Sequence, residues 1–169
     1  MARKEYKSFY SPILFDTKDD APKLISGYFA HFGSVDSDGD IFQKGAFSKT
    51  IQENGPKSPK PRIKYLLDHD KKQVAGVLID LYEDEVGLKY EAELGDWDTG
   101  VKVRQMALKG ALTEHSVGFN TIKRDKSDKR VITEAKLWEG SILQTWGANS
   151  NTPLLYAKGD SEPIDIDID

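Results

Sequence analysis

The sequence predicts an α+β fold, mainly an antiparallel β-barrel or strongly curved sheet with a few peripheral helices. Three observations support this prediction: about six or seven strand-like runs lie along the chain, two helical patterns interrupt them, and no glycine-rich phosphate-binding loop occurs. The chain has 169 residues, of which 38% are hydrophobic and 31% charged, so it is long enough for one domain with its own core.

The strand-like runs account for most of the chain. The first covers 24–32 and is rich in aromatic side chains. Further runs cover 62–67, 74–82, 88–94, 112–122 and 131–143. The run 88–94 is the clearest, because apolar and charged residues alternate along it with a period of two. The charged segment 124–130 is expected to form an exposed hairpin turn between the last two strands.

Two helices are expected, over 46–53 and over 98–109. In the first, Phe47 and Ile51 lie four residues apart and share one face. In the second, the apolar side consists of Val103, Met106 and Ala107. Asp98 or Thr99 is expected to cap the start of the second helix. Gly55 is expected to end the first helix and Gly110 the second.

The domain itself is expected over residues 24–157. Residues 1–23 are polar and contain Pro12 and Pro22, which is typical of a loosely held lead-in. Residues 158–169 alternate between acidic and apolar side chains and have too few neighbours to bury their isoleucines. We therefore expect an acidic, flexible tail over that range.

The composition excludes several classes of protein and of site. The 24 basic and 28 acidic side chains give a formal net charge of −4, whereas a general nucleic-acid or anionic-membrane binder needs a positive surplus. No apolar run approaches the roughly 18 residues of a membrane helix, and no signal-type stretch is present. The sequence has no cysteine, which excludes disulfides, thiolate zinc sites and a cysteine nucleophile. We expect a soluble intracellular protein that binds neither nucleic acid nor membrane.

An aspartate-rich run over 36–40 invites a comparison with calcium loops. An EF-hand loop needs glycine at its sixth position and glutamate at its twelfth, and counting from Asp36 these positions hold Ile41 and Phe47. The pattern therefore predicts a turn held by aspartate side chains instead. The sequence also lacks a His-x-x-x-His pair, so no metal or cofactor site is predicted.

Three histidines are candidate general bases. His31 lies in an apolar strand and is interpreted as a packed or surface strand residue. His115 directly precedes Ser116, and adjacent residues of a strand point to opposite faces, so His115 is not expected to act on Ser116. His69 lies between two aspartates after an apolar run, which places it at the mouth of the sheet. A solvated loop histidine is the commoner state of such a residue, so its role stays open on these grounds alone.

Serine is the strong nucleophile that remains when cysteine is absent, and it needs a base that a third group orients. Ser116 lies in the predicted strand 112–122, and Gly118 shares its face, which suggests open space for a substrate backbone. Glu139 shares a face of the next strand with Ser141, and a carboxylate in apolar surroundings needs a partner such as a histidine. The structural alternatives are a serine packed in a strand and a glutamate paired with a basic residue at the rim.

Six groups of residues stand in a characteristic order: Gly39-Asp40 with Gly45-Ala46-Phe47, Leu66-Leu67-Asp68-His69-Asp70 with Val74-Ala75-Gly76, Gly87-Leu88, His115-Ser116-Val117-Gly118-Phe119, Glu139-Gly140-Ser141, and Ala148-Asn149. This order resembles the prohead proteases of tailed bacteriophages. These serine proteases process the scaffold during capsid maturation and are related in fold to the herpesvirus assemblins. The resemblance covers the chain from Leu24 to Leu155, and one departure is Gly140, where the family usually has a β-branched residue.

The resemblance implies a role for three residues and no cofactor. Ser116 would be the nucleophile and His69 the general base. Glu139 would orient the histidine, at the position where the assemblins use a second histidine. Backbone amides of 147–149 are the expected oxyanion-hole donors.

The resemblance also implies substrates and a place of action. The substrates would be the major capsid protein or its scaffolding segment, and the protease itself, with the tail after Gly159 as a remnant of self-cleavage. The protease would act in the cytoplasm of the bacterial host, inside the assembling procapsid. A homodimer is a further expectation, because the assemblins act as dimers. Two alternatives are a catalytically silent scaffold or capsid-associated module with the same fold and, ranked last for want of a Gly-x-Ser-x-Gly motif, a small esterase.

Overall fold

The computed structural model of the chain describes residues 5–10, 14–15 and 23–145. Nine strands and two helices lie in this part of the chain. In chain order they are β1 (Glu5–Tyr10), β2 (Leu14–Phe15), β3 (Leu24–His31), β4 (Ile41–Phe42), α1 (Ser48–Asn54), β5 (Lys64–Leu67), β6 (Asp70–Glu83), β7 (Gly87–Leu94), α2 (Asp98–Leu108), β8 (Glu114–Arg124) and β9 (Val131–Leu143).

All nine strands belong to one mixed, strongly curled sheet. Its order is β1-β8-β9-β5-β6-β7-β3-β2, and β4 pairs with a separate part of β9. The pairs of β4 and β5 with β9 are parallel, and the other pairs are antiparallel. The curl brings Phe29 on β3 into ring contact with His115 on β8, although four strands lie between them in the order. This half-barrel confirms the predicted fold class.

β9 lies between the two strands that contain or lead to the candidate site residues. On one side it pairs with β8, so that Ser116 lies opposite Ser141. On the other side it pairs with β5, so that Ser141 lies opposite Leu66. The strand that contains Ser116 and the strand that leads to His69 therefore flank the same segment of β9.

The core inside the curl is largely aromatic. Phe29 stacks on Tyr90 with ring centroids 4.0 Å apart and planes inclined by 6°. The other fully buried aromatic residues are Phe42, Phe47, Tyr65 and Phe119. Burying each such side chain contributes about 1.5–3 kcal/mol, so this cluster is a main source of the stability of the sheet.

Both helices occur where they were predicted, but their starts differ in detail. α2 begins at Asp98 after Trp97, and no side chain caps it; Thr99, a predicted cap, instead donates a hydrogen bond to Gln73 Oε1 (2.5 Å). The prediction of a capping side chain was therefore wrong. Val103 is buried on the inner side of α2, as expected. No helix in the described part of the chain is long and apolar enough to cross a membrane.

The start of α1 is held from another strand. The Glu83 carboxylate on β6 accepts hydrogen bonds from the N–H groups of Gly45 and Phe47 (both 3.1 Å) and from Ser48 Oγ (2.7 Å). A carboxylate at this end of a helix satisfies donors that have no partner within the helix. Glu83 therefore does for α1 what a local capping residue does elsewhere.

The aspartate-rich turn is built as predicted. Asp36 Oδ1 accepts hydrogen bonds from the N–H groups of Asp38 and Asp40, both at 2.9 Å. Asp40 in turn pairs with Arg124 at the end of β8, with Nη1 2.6 Å from Oδ1. The aspartates of this run thus hold the turn and anchor it to the sheet.

The N-terminal lead-in is more regular than expected. Residues 5–10 form β1, which pairs with β8 along its whole length, and residues 14–15 form β2. Neither strand was predicted, because backbone pairing with a sheet edge needs no apolar pattern. The predicted tail over 158–169 and the predicted oxyanion-hole donors at 147–149 lie outside the described residues.

Candidate active site

His69 lies in a two-residue turn that joins β5 to β6. Leu67 pairs with Asp70 across the turn, and the two residues between them, Asp68 and His69, have positive φ angles of 53° and 59°. These angles are typical of a type I′ hairpin turn, in which asparagine and glycine are the usual occupants. Two non-glycine residues in this conformation are uncommon and cost conformational energy, so other contacts must hold the turn.

Several such contacts come from the end of β9 and from Gln144, which follows that strand. The Asp68 N–H donates to the Ile142 carbonyl and the His69 N–H donates to Ser141 Oγ, both at 3.0 Å. The Asp68 carboxylate accepts hydrogen bonds from the Gln144 N–H (2.8 Å) and from Gln144 Nε2 (2.6 Å). Because β5 runs parallel to β9, the turn continues the contacts of that strand pair beyond the last residue of β5.

The β8–β9 hairpin brings Ser116 and Glu139 to the same part of the sheet. The predicted charged segment 124–130 connects the two strands, and Gly118 lies opposite Glu139. Ser116 is fully buried and Glu139 is 7% exposed. A carboxylate with so little access to water needs hydrogen-bond donors or a positive partner.

His69 bridges Ser116 and Glu139. Its Nε2 lies 2.7 Å from Ser116 Oγ, and its Nδ1 is hydrogen-bonded to Glu139 Oε1. A carboxylate only accepts hydrogen bonds, so Nδ1 carries the proton and Nε2 of the neutral ring is left to accept the proton of Ser116. The imidazole is about one fifth exposed, with a side-chain accessibility of 21%. The structure thus brings all three predicted site residues into one hydrogen-bonded chain.

A fourth residue completes the surroundings of the carboxylate. Ser141 Oγ donates a hydrogen bond to Glu139 Oε2 at 2.6 Å. Ser141 Oγ also accepts a hydrogen bond from the backbone N–H of His69. The strand pattern of the sequence places Ser141 on the same face as Glu139 but indicates no role for it. The signal was its spacing of two residues from the glutamate in a strand, which brings the two side chains together on one face.

Two glycines allow this arrangement, and the interpretation of one of them was wrong. Gly118 does not leave open space for a substrate: a Cβ atom there would lie closer to Glu139 Oε1 than van der Waals contact allows. The space beside Ser116 is therefore filled by the carboxylate. At Gly140 a Cβ atom would collide with the Phe29 ring, which explains why this chain has glycine at that position.

The other two histidines, His31 and His115, bond residues outside the candidate site. His115 is fully buried, its Nε2 lies 2.7 Å from Tyr90 OH, and desolvation by burial lowers its pKa to about 3. His31 ends β3, and its Nδ1 lies 3.1 Å from Ser34 Oγ; desolvation also lowers its pKa. These surroundings agree with the interpretation of His31 as a strand residue and with the expectation that His115 does not act on Ser116.

The comparison with family models decides the affiliation of the chain. The model that describes the caudovirus prohead serine proteases matches residues 13–164. The chain belongs to this family. The prohead protease of Enterobacteria phage HK97 is 30% identical to it over 111 residues, which are 64% of this chain and 47% of that protein. The chain therefore spans about half the length of this prohead protease.

The fold of this prohead protease family member is also similar to a solved structure. The bacteriophage T4 capsid assembly protease gp21 superposes with a TM-score of 0.64 at 15% sequence identity. The match covers 85% of this chain and 98% of the other. At this identity the comparison concerns the fold, and it agrees with the curled sheet described above.

Proposed function

We propose that this chain is a serine endopeptidase of phage capsid maturation, with Ser116 as nucleophile, His69 as general base and Glu139 as the carboxylate that orients the base. The observation that supports the proposal most directly is the hydrogen-bonded chain from Glu139 through His69 to Ser116. Membership of the prohead serine protease family supports the same chemistry. A nucleophile, a base within hydrogen-bond reach and a group that orients the base are the parts that such chemistry requires.

The first half of the reaction forms an acyl-enzyme. Ser116 Oγ attacks the carbonyl carbon of the peptide bond while its proton passes to His69 Nε2. Glu139 stabilises the imidazolium that results, because its negative charge lies against Nδ1. When the tetrahedral intermediate collapses, the C–N bond breaks and the proton on Nε2 passes to the leaving amine.

The second half repeats these steps with water. A water molecule gives a proton to His69 Nε2 and attacks the acyl carbon, and the bond to Ser116 Oγ then breaks as Oγ takes the proton back. The β8–β9 ladder and the tight turn at His69 keep the ring within 2.7 Å of Oγ, so neither step requires a large movement of the base.

Access to the site is limited in this structure. Ser116 is fully buried and Glu139 nearly so. Of the three residues, His69 has the most exposed side chain. A peptide must therefore displace what covers Ser116 before its carbonyl carbon reaches Oγ. Such a requirement suits a protease that acts at one stage of assembly.

For the substrate, we propose the major capsid protein or its scaffolding segment, and the protease itself. The family name refers to the prohead, and the T4 structural neighbour is a capsid assembly protease. The proposed place of action is the inside of the assembling procapsid in the bacterial host. A catalytically silent module with the same fold is the alternative that the test must distinguish.

The test is incubation of the purified chain with its cognate capsid–scaffold precursor, wild type beside Ser116→Ala, with fragments identified by mass spectrometry. Cleavage by the wild type alone is the expected result, and it would also give the site preference. Cleavage by neither protein, with both folded, would support the silent module. Cleavage by both would show that Ser116 is not the nucleophile.

A further inference from the structure

We infer that Ser141 is a positioning residue of the proposed catalytic site, whose hydroxyl holds the Glu139 carboxylate and the His69 turn in one geometry. The inference rests on the proposed function, because it concerns the efficiency of the same three residues. The hydrogen bonds of the Ser141 hydroxyl go to Glu139 and to the backbone of His69, so its proposed effect passes through these two residues.

The contacts of the Ser141 hydroxyl have a specific direction. Its proton goes to Glu139 Oε2 at 2.6 Å, and its oxygen accepts the backbone N–H of His69 at 3.0 Å. The residue is fully buried, so water does not compete for either bond. Since Oε1 of the same carboxylate bonds His69 Nδ1, one hydroxyl is linked to both ends of the Glu139–His69 pair.

These two bonds restrict different freedoms. The bond to Oε2 prevents the carboxylate from rotating about its terminal torsion, which is otherwise a broad and weakly restricted angle. The bond to the His69 N–H fixes the backbone from which the imidazole projects. Among the described residues, Ser141 is the one whose side chain donates to Oε2, so its removal takes away a hydrogen-bond donor from this buried oxygen.

The turn has a second support that does not involve Ser141. The Asp68 carboxylate accepts two hydrogen bonds from Gln144, and the Asp68 N–H donates to the carbonyl of Ile142. Removal of the Ser141 hydroxyl therefore leaves the turn formed and loosens only its alignment. The expected variant is a folded protein with a poorly aligned base rather than an unfolded one.

The experiment measures how fast a small fluorophosphonate labels Ser116 in the full chain. In this reaction Ser116 Oγ displaces fluoride from phosphorus and its proton passes to His69, so the rate reports activation of the serine without any peptide substrate. Ser141→Ala should slow labelling by about 10- to 100-fold, the loss expected for a buried hydrogen bond to a charged group. Ser141→Thr, which keeps a hydroxyl, should recover most of that rate.

Two controls separate positioning from general stability. Ser48→Ala removes another bond from a serine hydroxyl to a carboxylate, the exposed one to Glu83 Oε2 (2.7 Å) at the start of α1, and should leave labelling unchanged. In a Glu139→Ala background, Ser141→Ala should cost less than it does in the wild type, because part of its effect passes through Glu139. Amide hydrogen exchange at His69 should accelerate in Ser141→Ala and not in Ser141→Thr.

The outcomes distinguish this inference from the proposed function. If the wild type is labelled and Ser141→Ala leaves the labelling rate unchanged, the inference is overturned and the proposed function stands. The same holds if Ser141→Ala lowers the rate in the Glu139→Ala background by as large a factor as it does in the wild type. Efficient labelling without cleavage of any precursor would contradict the endopeptidase proposal, while the labelling rates would still decide the role of Ser141. A folded wild type that is neither labelled nor able to cleave the precursor would overturn both.

Discussion

The Glu139 carboxylate occupies the space that a side chain at Gly118 would fill. The two residues face each other across the β8–β9 pair, and a Cβ atom at Gly118 would collide with Oε1, the oxygen that bonds His69. The Glu139 carboxylate on β9 can therefore take its position only because Gly118 on β8 has no side chain. The ladder shifts register directly after Gly118, so that Phe119 lies opposite Leu137.

Gly118→Ala should therefore impair catalysis by moving the carboxylate. We expect kcat to fall by about 10-fold or more, since misplacement by about 1 Å is costly in such sites. The unfolding free energy should fall by about 1–3 kcal/mol, the usual cost of overpacking. In a Glu139→Ala background the same substitution should cost much less stability. Equal costs in both backgrounds, measured by urea unfolding, would show that the collision is elsewhere.

Glu139→Gln tests the orienting role with almost no change in shape. The amide can donate a hydrogen bond to Nδ1 of His69, which favours the ring tautomer that leaves no acceptor for the proton of Ser116. We expect kcat to fall by about 10²- to 10⁴-fold with little change in KM. Glu139→Asp, which keeps the charge on a shorter side chain, is the matched variant and should retain more activity. Wild-type kcat in the glutamine variant would refute the assignment.

Asp68 should affect the alignment of the His69 turn more than whether the turn forms. Asp68→Ala removes both acceptors for Gln144 and places alanine at a φ of 53°, so we expect a loss of about 1–2 kcal/mol in unfolding free energy and a several-fold lower kcat. Asp68→Asn should lose less, because asparagine tolerates this conformation and keeps one acceptor oxygen. Chemical denaturation and steady-state kinetics of the two variants give the comparison. A larger loss in the asparagine variant would contradict this explanation.

His115 should make the protein less stable in mild acid. Its pKa is lowered by burial to about 3, against about 6.5 in the unfolded chain, so the unfolded state binds the proton first as the pH falls. The unfolding free energy should therefore decrease as the pH falls from about 6.5 towards 3, by about 2 kcal/mol between neutral pH and pH 5. His115→Gln keeps a polar side chain beside Tyr90 but does not titrate. Its stability should depend less on pH over this range, and an equal slope would contradict the prediction.

Local patterns predicted the elements of this fold better than their arrangement. The alternation over 88–94 and the apolar run over 131–143 correspond closely to β7 and β9, because side-chain burial there follows the period of a strand. The parallel pairing of β5 with β9 was not predictable from such patterns, since it joins segments about 75 residues apart through backbone groups that every residue has. For the same reason β1 was missed.

In the candidate site, too, the residues were predictable from the sequence, whereas their contacts across strands were not. Residue types and order singled out His69, Ser116 and Glu139, and their roles stay predictions until the variants are measured. The contacts of Ser141 with the His69 turn depend on how β5 ends beside β9, which no local pattern encodes. Gly118 was misinterpreted because the occupant of the space beside it comes from another strand.

The parallel pairing of β5 with β9 determines when the proposed catalytic residues come together during folding. The hairpin β8–β9 is local and can form early, but it carries only Ser116 and Glu139. His69 arrives only when a contact spanning about half of the chain closes, and such long-range contacts form late in folding. Under the proposed function, a nascent or partly folded copy lacks an activated serine, and the topology itself delays proteolysis until the sheet has closed.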